Sequence, residues 1–304
     1  MTTYKIGIDL GGTKTEGILL NAQNITEYRE RVNTPQHLGY QTILTSISNL
    51  IQRCAGSVPE GNPYSIGIGI PGTIYPLTGL VQNANTTCLI GKPFKADVED
   101  RIGRSIRMEN DANCFTLAEC LAGAAKQYDM VFGIIMGTGC GGGLYVNGSV
   151  RKGPHDISGE WGHFGIDPQG AACYCGKRGC IETKISGSGV EKAYLAKFGN
   201  HLTMREIVNG YRMQIPECME IFLQFLDDFG RSVGGLISTI DPDAIVIGGG
   251  LSNIDELYTE GIERIRYYAF HRNIRTPILK NRLGDSAGVF GAAWLESVSS
   301  SVKK

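Results

Sequence analysis

Residues 4–20 run Tyr4-Lys5-Ile6-Gly7-Ile8-Asp9-Leu10-Gly11-Gly12-Thr13-Lys14-Thr15-Glu16-Gly17-Ile18-Leu19-Leu20. Tyr4 to Leu10 is apolar enough for a buried strand, Gly11 to Thr15 reads as a tight turn, and Glu16 to Leu20 as a returning strand rather than a helix. The plan recurs downstream: Val131 to Met136, then Gly137-Thr138-Gly139-Cys140-Gly141-Gly142-Gly143, then Leu144 to Asn147. Two glycine hairpins about half a chain apart predict duplicated α/β lobes facing one cleft. Neither is a P-loop or a dinucleotide fingerprint, because the residue spacing is wrong and no helix follows at once. Phosphate would therefore be met by turn amides rather than by a helix N-terminus.

Two further strands end in glycine, Ser65 to Ile70 before Pro71-Gly72 and Ala244 to Ile247 before Gly248-Gly249-Gly250. Both place bare backbone at a strand's carboxyl end, where α/β sheets take ligands. Asn113 to Ala125 and Ile221 to Ile240 carry helical patterns, the second stopping before Asp241-Pro242. A junction near Asn110 to Asn113 divides the chain into lobes 1–112 and 113–287. A helix from Gly288, spanning about 288–304, returns to the first lobe, and the second carries a metal loop over 160–182.

With 29 Lys and Arg against 30 Asp and Glu, the formal charge is -1. No global field draws nucleic acid or an anionic membrane to such a chain, so a small partner is expected. Nine cysteines, an odd number, and a start that runs directly into an apolar strand suggest a reduced, cytoplasmic setting.

The segment Glu160-Trp161-Gly162-His163 and, nine residues on, Cys173-Tyr174-Cys175-Gly176-Lys177-Arg178-Gly179-Cys180-Ile181-Glu182 concentrates thiols, an imidazole and carboxylates. His163, Cys173, Cys175 and Cys180 form one Cys3His set for tetrahedral zinc, with Gly176 and Gly179 letting the turn fold back. Four protein ligands leave no open position, so the metal would be structural. The alternative is a group of reduced, buried cysteines beside a loop histidine.

Asp9 could hold hydrated magnesium, with Gly11, Gly12, Thr13 and Lys14 against phosphate oxygens; the alternative for one such hairpin alone is plain turn chemistry. Gly137, Thr138, Gly139, Gly141 and Gly142 would form the second nucleotide loop, and Gly248 to Asn253, led by Gly248, Gly249 and Gly250, a floor under adenosine or else a buried turn between strand and helix. In Arg107-Met108-Glu109-Asn110-Asp111-Ala112-Asn113, Asp111 is either the N-cap of a helix or the base that takes a proton from an attacking hydroxyl, with Asn110 orienting the substrate. Glu160, His163 and Glu182 suit a neutral polyol.

Ile-Asp-Leu-Gly-Gly-Thr-Lys-Thr-Glu, Glu-Asn-Asp-Ala-Asn, Glu-Trp-Gly-His and Cys-Tyr-Cys-Gly-Lys-Arg-Gly-Cys-Ile-Glu together resemble the ROK sugar kinases over essentially the whole chain. Within that family the chain looks closest to bacterial fructokinases of the mannokinase type. The resemblance implies an α/β, actin/hexokinase-like ATPase fold with two lobes around a central cleft. It implies ATP and magnesium, Asp111 as base, and Asn110, Glu160, His163 and Glu182 around the sugar, with Gly72 and Asn85 added. His163 would serve zinc through one ring nitrogen and the sugar through the other. One departure is the short stretch Phe164 to Ala172, whose Asp167-Pro168-Gln169-Gly170 tip bears on which sugar enters.

The expected activity is ATP-dependent phosphorylation of a hexose at its 6-hydroxyl, with fructose giving fructose 6-phosphate and mannose as a second substrate. N-acetylglucosamine kinases and glucokinases of the family share the catalytic set and are the alternative. A homodimer is expected. A sugar-sensing regulator is the rival, but no helix-turn-helix precedes Tyr4 and no basic recognition segment is present.

Overall fold

The structure, a computed structural model, describes residues 3–296. It divides into two compact units, one comprising residues 1–121, 145–158 and 285–304 and the other 122–144 and 159–284, of which the described residues are discussed. The first unit thus keeps the whole helix after Asn110 and regains a second segment at 145–158, where the sequence reading placed the junction at 112/113.

In the first unit, strands β1 (Tyr4–Leu10), β2 (Lys14–Leu20), β3 (Thr26–Asn33), β4 (Tyr64–Ile70) and a later β7 (Arg107–Asn110) form one sheet in the order β3-β2-β1-β4-β7. β5 (Thr73–Ile74) and β6 (Val81–Gln82) make a small hairpin between β4 and β7 in sequence. β2 is antiparallel to β1 and β3, while β4 runs parallel to both β1 and β7. The β1–β2 pairing continues to Leu10↔Thr15, so the turn is shorter than the sequence reading and β2 already starts at Lys14. Helix α1 (Tyr40–Gly56) buries Ile43, Leu44, Ile47, Leu50 and Ile51 at helical spacing, joining Ile6, Ile8, Ile66 and Ile68 in one core. α2 (Phe94–Ile102) adds Phe94 and Val98.

Helices α3 (Asp111–Leu121) and α9 (Ala287–Trp294), numbered in chain order, pack on each other, and α9 lies on β1 and β4. Glycine makes this approach possible. Gly7 and Gly67 are partners across β1 and β4, and a Cβ there would stand 2.2 Å from Val289 O and 1.9 Å from Ala292 O. A Cβ on Gly291 would stand 1.8 Å from Cys114 O. The expected helix at 288–304 is therefore α9 up to Trp294, and the part beyond residue 296 lies outside the described residues.

The second sheet has the order β10-β9-β8-β11-β12, from β8 (Met130–Met136), β9 (Cys140–Val146), β10 (Ser149–Val150), β11 (Ala244–Gly248) and β12 (Ile278–Lys280). β11 is parallel to both β8 and β12. Four helices follow the metal loop: α4 (Glu182–Ile185), α5 (Gly187–Phe198), α6 (Met204–Arg212) and α7 (Pro216–Ile240), with α8 (Glu260–Tyr268) after β11. α7 begins on a proline in its first turn, runs 25 residues and stops at Asp241, which takes the left-handed conformation. It buries Phe222, Phe225, Phe229 and Val233, and crosses α8 at Gly230, where a Cβ would meet Arg264 Cβ at 2.3 Å. Among the described residues no helix is long and apolar enough to cross a membrane.

The glycine run at Gly141-Gly142-Gly143 is strand, not turn, which corrects the sequence reading. A Cβ on Gly142 would lie 2.7 Å from Trp161 and 2.9 Å from Gly159 O, so glycine at this position is demanded by packing against Gly159 and Trp161.

Gly67→Ala should destabilise the protein by at least about 1–3 kcal/mol, the usual penalty for forcing atoms into a packed interior. Gly235→Ala, on α7 with no atom near the new methyl, should be neutral or stabilising by about 0.5–1 kcal/mol. Denaturant midpoints of the two variants and the wild type check the contrast.

Candidate active site

At the corner between β7 and α3, the side-chain oxygen of Asn110 accepts from the Ala112 amide at 2.9 Å and the Asn113 amide at 3.3 Å. Asn110 is therefore the N-cap, bonded to the second and third helical amides as a cap should be. Its amide nitrogen donates to Gly72 O at 3.1 Å. Gly72 has φ +115, and a Cβ there would stand 2.6 Å from Gln82 O, so it shapes the β5–β6 hairpin and offers a carbonyl to Asn110. Asn85 is exposed, 3.5 Å from Thr86 Oγ1.

With the cap supplied by Asn110, Asp111 is the first helical residue, and its Oδ1 accepts from the Ala112 amide at 2.8 Å. Burial pushes its pKa up to about 6, opposed by backbone hydrogen bonds from Ala112 and Asp111. Asp9, at the end of β1, is pushed to about 7 by burial, then by the charges of Asp111 and Glu16, with Arg31 opposing. A Cβ on Gly288 would approach Asp9 Oδ2 to 2.6 Å, so the start of α9 closes over this carboxylate. The adjacent turn is held by Gly11 N donating to Lys14 O at 3.0 Å and by Thr34, whose hydroxyl donates to Gly11 O at 2.7 Å. Thr13 and Lys14 are exposed and Gly12 is half-buried. Asp9 offers the hard oxygen that magnesium prefers.

Glu109, the first residue of the Glu-Asn-Asp-Ala-Asn motif, supports this corner, a role the sequence reading did not assign to it. Its Oε1 accepts from the Asn110 amide at 2.9 Å and from Asn113 Nδ2 at 3.0 Å, and Lys152 reaches Oε2 at 2.7 Å. Lys152 comes from the returning segment 145–158, too far along the chain for spacing to reveal the pair.

In the second unit the turn Gly137–Gly139 is fixed from the α5 side: the Gly187 amide donates to Gly137 O at 2.7 Å and Ser188 Oγ to Thr138 O at 2.6 Å. Gly248–Gly250 lies beside it at the end of β11. Gly249, at φ +79, comes so close to β8 that a Cβ would meet Met136 O at 2.4 Å. Trp161 donates from its indole nitrogen to Gly141 O at 3.2 Å and packs edge to face on Phe132. Gly141 and Gly142 thus seat the Glu160–His163 segment. Glu182, opening α4, accepts from the Cys140 amide at 3.0 Å.

The four predicted metal ligands come together, with all four ligand atoms within 4.8 Å of one another. Cys175 and Cys180 sulfurs are 3.6 Å apart, and His163 Nδ1 is 3.6 Å from Cys173 Sγ. Zinc bonded at about 2.3 Å to sulfur and 2.0 Å to nitrogen would space tetrahedral ligands by about 3.5–3.8 Å, so the set fits. The backbone shapes the loop: Gly179 has φ +59 and lies so near Asp167 O that a Cβ would reach 1.7 Å. Asp167 is tied to Lys184 at 2.6 Å, anchoring the tip of the 164–172 stretch to α4. Burial pushes the Cys180 thiol up to about 12, ahead of the effects of its two neighbouring thiols. Burial opposes ionisation of Cys175 as well, but the Lys177 amide and hydrogen bonds from Cys173 and Cys180 bring it below the ordinary thiol value. The second ring nitrogen of His163 meets the Tyr174 hydroxyl, a neighbour the sequence reading did not include.

The model of the ROK family matches residues 5–298, and the chain belongs to that family. It is 39% identical over 302 residues to an N-acetyl-D-glucosamine kinase of Yersinia pseudotuberculosis, covering 95% of this chain and 97% of that protein. An N-acetyl-D-glucosamine kinase of Histophilus somni is 36% identical over 307 residues, at 95% and 97% coverage. The fold superposes on the ROK hexokinase of Thermus thermophilus with a TM-score of 0.86 and 30% identity, covering 97% of this chain and 99% of the other. These relatives support the family and correct the subfamily: the likeness is to N-acetyl-D-glucosamine kinases, not to fructokinases of the mannokinase type. The quoted motifs lie on turns and loops assigned to chemistry common to many hexoses, so they did not discriminate among them.

Freshly purified, unchelated protein should hold roughly one zinc per chain, and Cys175→Ser should lower that content. Elemental analysis reads both; zinc-free wild-type protein would leave the four residues as reduced thiols and a histidine.

Proposed function

We propose that the chain is an ATP-dependent hexose kinase that phosphorylates N-acetyl-D-glucosamine at the 6-hydroxyl. The observation that carries the choice of sugar is the near full-length likeness to proteins of that name. Asp111 takes the proton of the 6-hydroxyl, whose oxygen attacks the γ-phosphorus of ATP. The bond from that phosphorus to the bridging oxygen breaks, ADP leaves, and the sugar 6-phosphate forms. Two facts support Asp111 as the base: Asn110 takes the capping role, and a pKa near 6 leaves the carboxylate ionised yet basic at neutral pH. Magnesium supplies charge neutralisation on the phosphates when bound, and Asp9 is the carboxylate offered to it, beside the turn of Gly11, Gly12, Thr13 and Lys14.

Gly137 to Gly139 and Gly248 to Gly250 are the nucleotide-facing turns in this reading. Glu160, His163 and Glu182 partner sugar hydroxyls, and structural zinc at His163, Cys173, Cys175 and Cys180 holds the last two in place. A hexose that leaves one of these groups unpaired loses about 1–3 kcal/mol, or roughly five- to a hundredfold. Coupled assays of ATP consumption with N-acetylglucosamine, glucose, mannose and fructose should rank the first highest in kcat/KM. A clear preference for another hexose refutes the sugar, and no turnover with any refutes the kinase.

Asp111→Asn should lose about 10²–10⁴ in kcat while the fold persists. The acidic limb of the wild-type kcat/KM profile should fall near pH 6: Asp111, its pKa raised, is a carboxylate above that value and is progressively protonated, hence unable to accept the proton, below it. A flat profile from pH 5 to 8 would contradict the assignment.

A further inference from the structure

Tyr174 stands between two thiols of the metal cluster, and its hydroxyl lies 2.9 Å from Nε2 of His163. The two rings meet edge to face, centroids 5.0 Å apart. Its predecessor Cys173 faces the other ring nitrogen, Nδ1. Consecutive residues thus engage both nitrogens of one imidazole. When a metal takes Nδ1, the proton resides on Nε2, and Nε2–H donates to the tyrosine oxygen.

Tyr174 is 71% exposed, and its ring contact is the one with His163. Glu160, His163 and Glu182 are the residues of this unit assigned to sugar hydroxyls above. The phenol oxygen thus stands against Nε2 where, in that reading, a sugar hydroxyl would stand.

We propose that Tyr174 is a displaceable occupant of the sugar-hydroxyl position at His163. It holds the imidazole when no sugar is present and swings out when a hexose hydroxyl takes Nε2. The proposal rests on the hexose-kinase reading and adds a residue that sets sugar affinity. An incoming sugar must break the Tyr174–His163 bond, and the net worth of one such hydrogen bond corresponds to roughly two- to twelvefold in affinity.

The test uses metal-loaded protein and calorimetric titration with N-acetylglucosamine, comparing wild type with Tyr174→Phe, which keeps the ring and removes only the hydroxyl. The expected result is a sugar Kd lowered two- to twelvefold, with zinc content and the Kd for ATP unchanged. A Kd that rises means that the hydroxyl itself binds sugar, and a Kd that stays the same means that it does not compete; either overturns the proposal. Lost zinc would show that Tyr174 serves only to position the metal ligand, and also overturns it. In a second measurement, 3-fluorotyrosine at position 174 should shift its fluorine resonance toward that of a solvent-exposed tyrosine on sugar addition, and an unmoved resonance counts against displacement. Wild-type protein that binds none of the four hexoses refutes the kinase reading, and this proposal with it. Binding by the wild type without the Tyr174→Phe gain refutes this proposal alone.

Discussion

The side-chain amide of Asn110 makes the contacts on which the first unit's chemistry depends. Its oxygen closes the start of α3 and its nitrogen reaches Gly72 O, so one residue joins a strand end, a helix start and a hairpin. Losing a cap typically costs about 0.5–2 kcal/mol, but the larger effect here is on the neighbour. Were Asp111 the cap, its carboxylate would be consumed by amides. Because Asn110 fills that role, the Asp111 carboxylate is not the group that closes the helix, and burial raises its pKa against the backbone hydrogen bonds it does accept. Glu109 and Lys152 brace the same corner from below, so its rigidity draws on a segment that returns late in the chain.

In the second unit the organising feature is the loop that brings His163, Cys173, Cys175 and Cys180 together. Backbone bonds such as Cys173 N to Lys177 O and Gly179 N to Ala171 O set the cysteines at ligand spacing. Trp161, seated on glycine strand backbone, sets His163 from the other side. Glu182 follows Cys180 closely and is held by the Cys140 amide, so the carboxylate and the imidazole are positioned by the same small region.

Much of this was legible in the sequence because local chemistry decides it. The strand from Tyr4 to Leu10, the stop of α7 before Asp241-Pro242 and the Cys3His spacing all follow from short-range rules of burial, capping and ligation. What was misread involved residue types with two uses. Glycine serves a turn and a close packing contact equally, and only the position of Trp161 shows that Gly142 does the second. Asn and Asp cap helices about equally well, so Asn110-Asp111 leaves the cap undetermined until the chain is folded. The Glu109–Lys152 pair joins distant segments and has no local signature. Tyr174 could have been flagged by its place between two ligands, since such a neighbour is bound to approach the imidazole. The likeness to N-acetyl-D-glucosamine kinases was not legible because the residues read as sites for hydroxyls and phosphates would serve hexoses in general.

The glycines at 7, 67 and 291 have a mechanical consequence. Where they lie, the nearest atoms α9 presents to β1 and β4, and α3 to α9, are backbone atoms. Elsewhere α9 touches Asp9 through Gly288, and α3 begins at Asp111. One eight-residue helix thus borders the strand end that carries Asp9 and the helix that opens with Asp111, so a bulkier residue at any of these glycines would disturb the setting of both carboxylates.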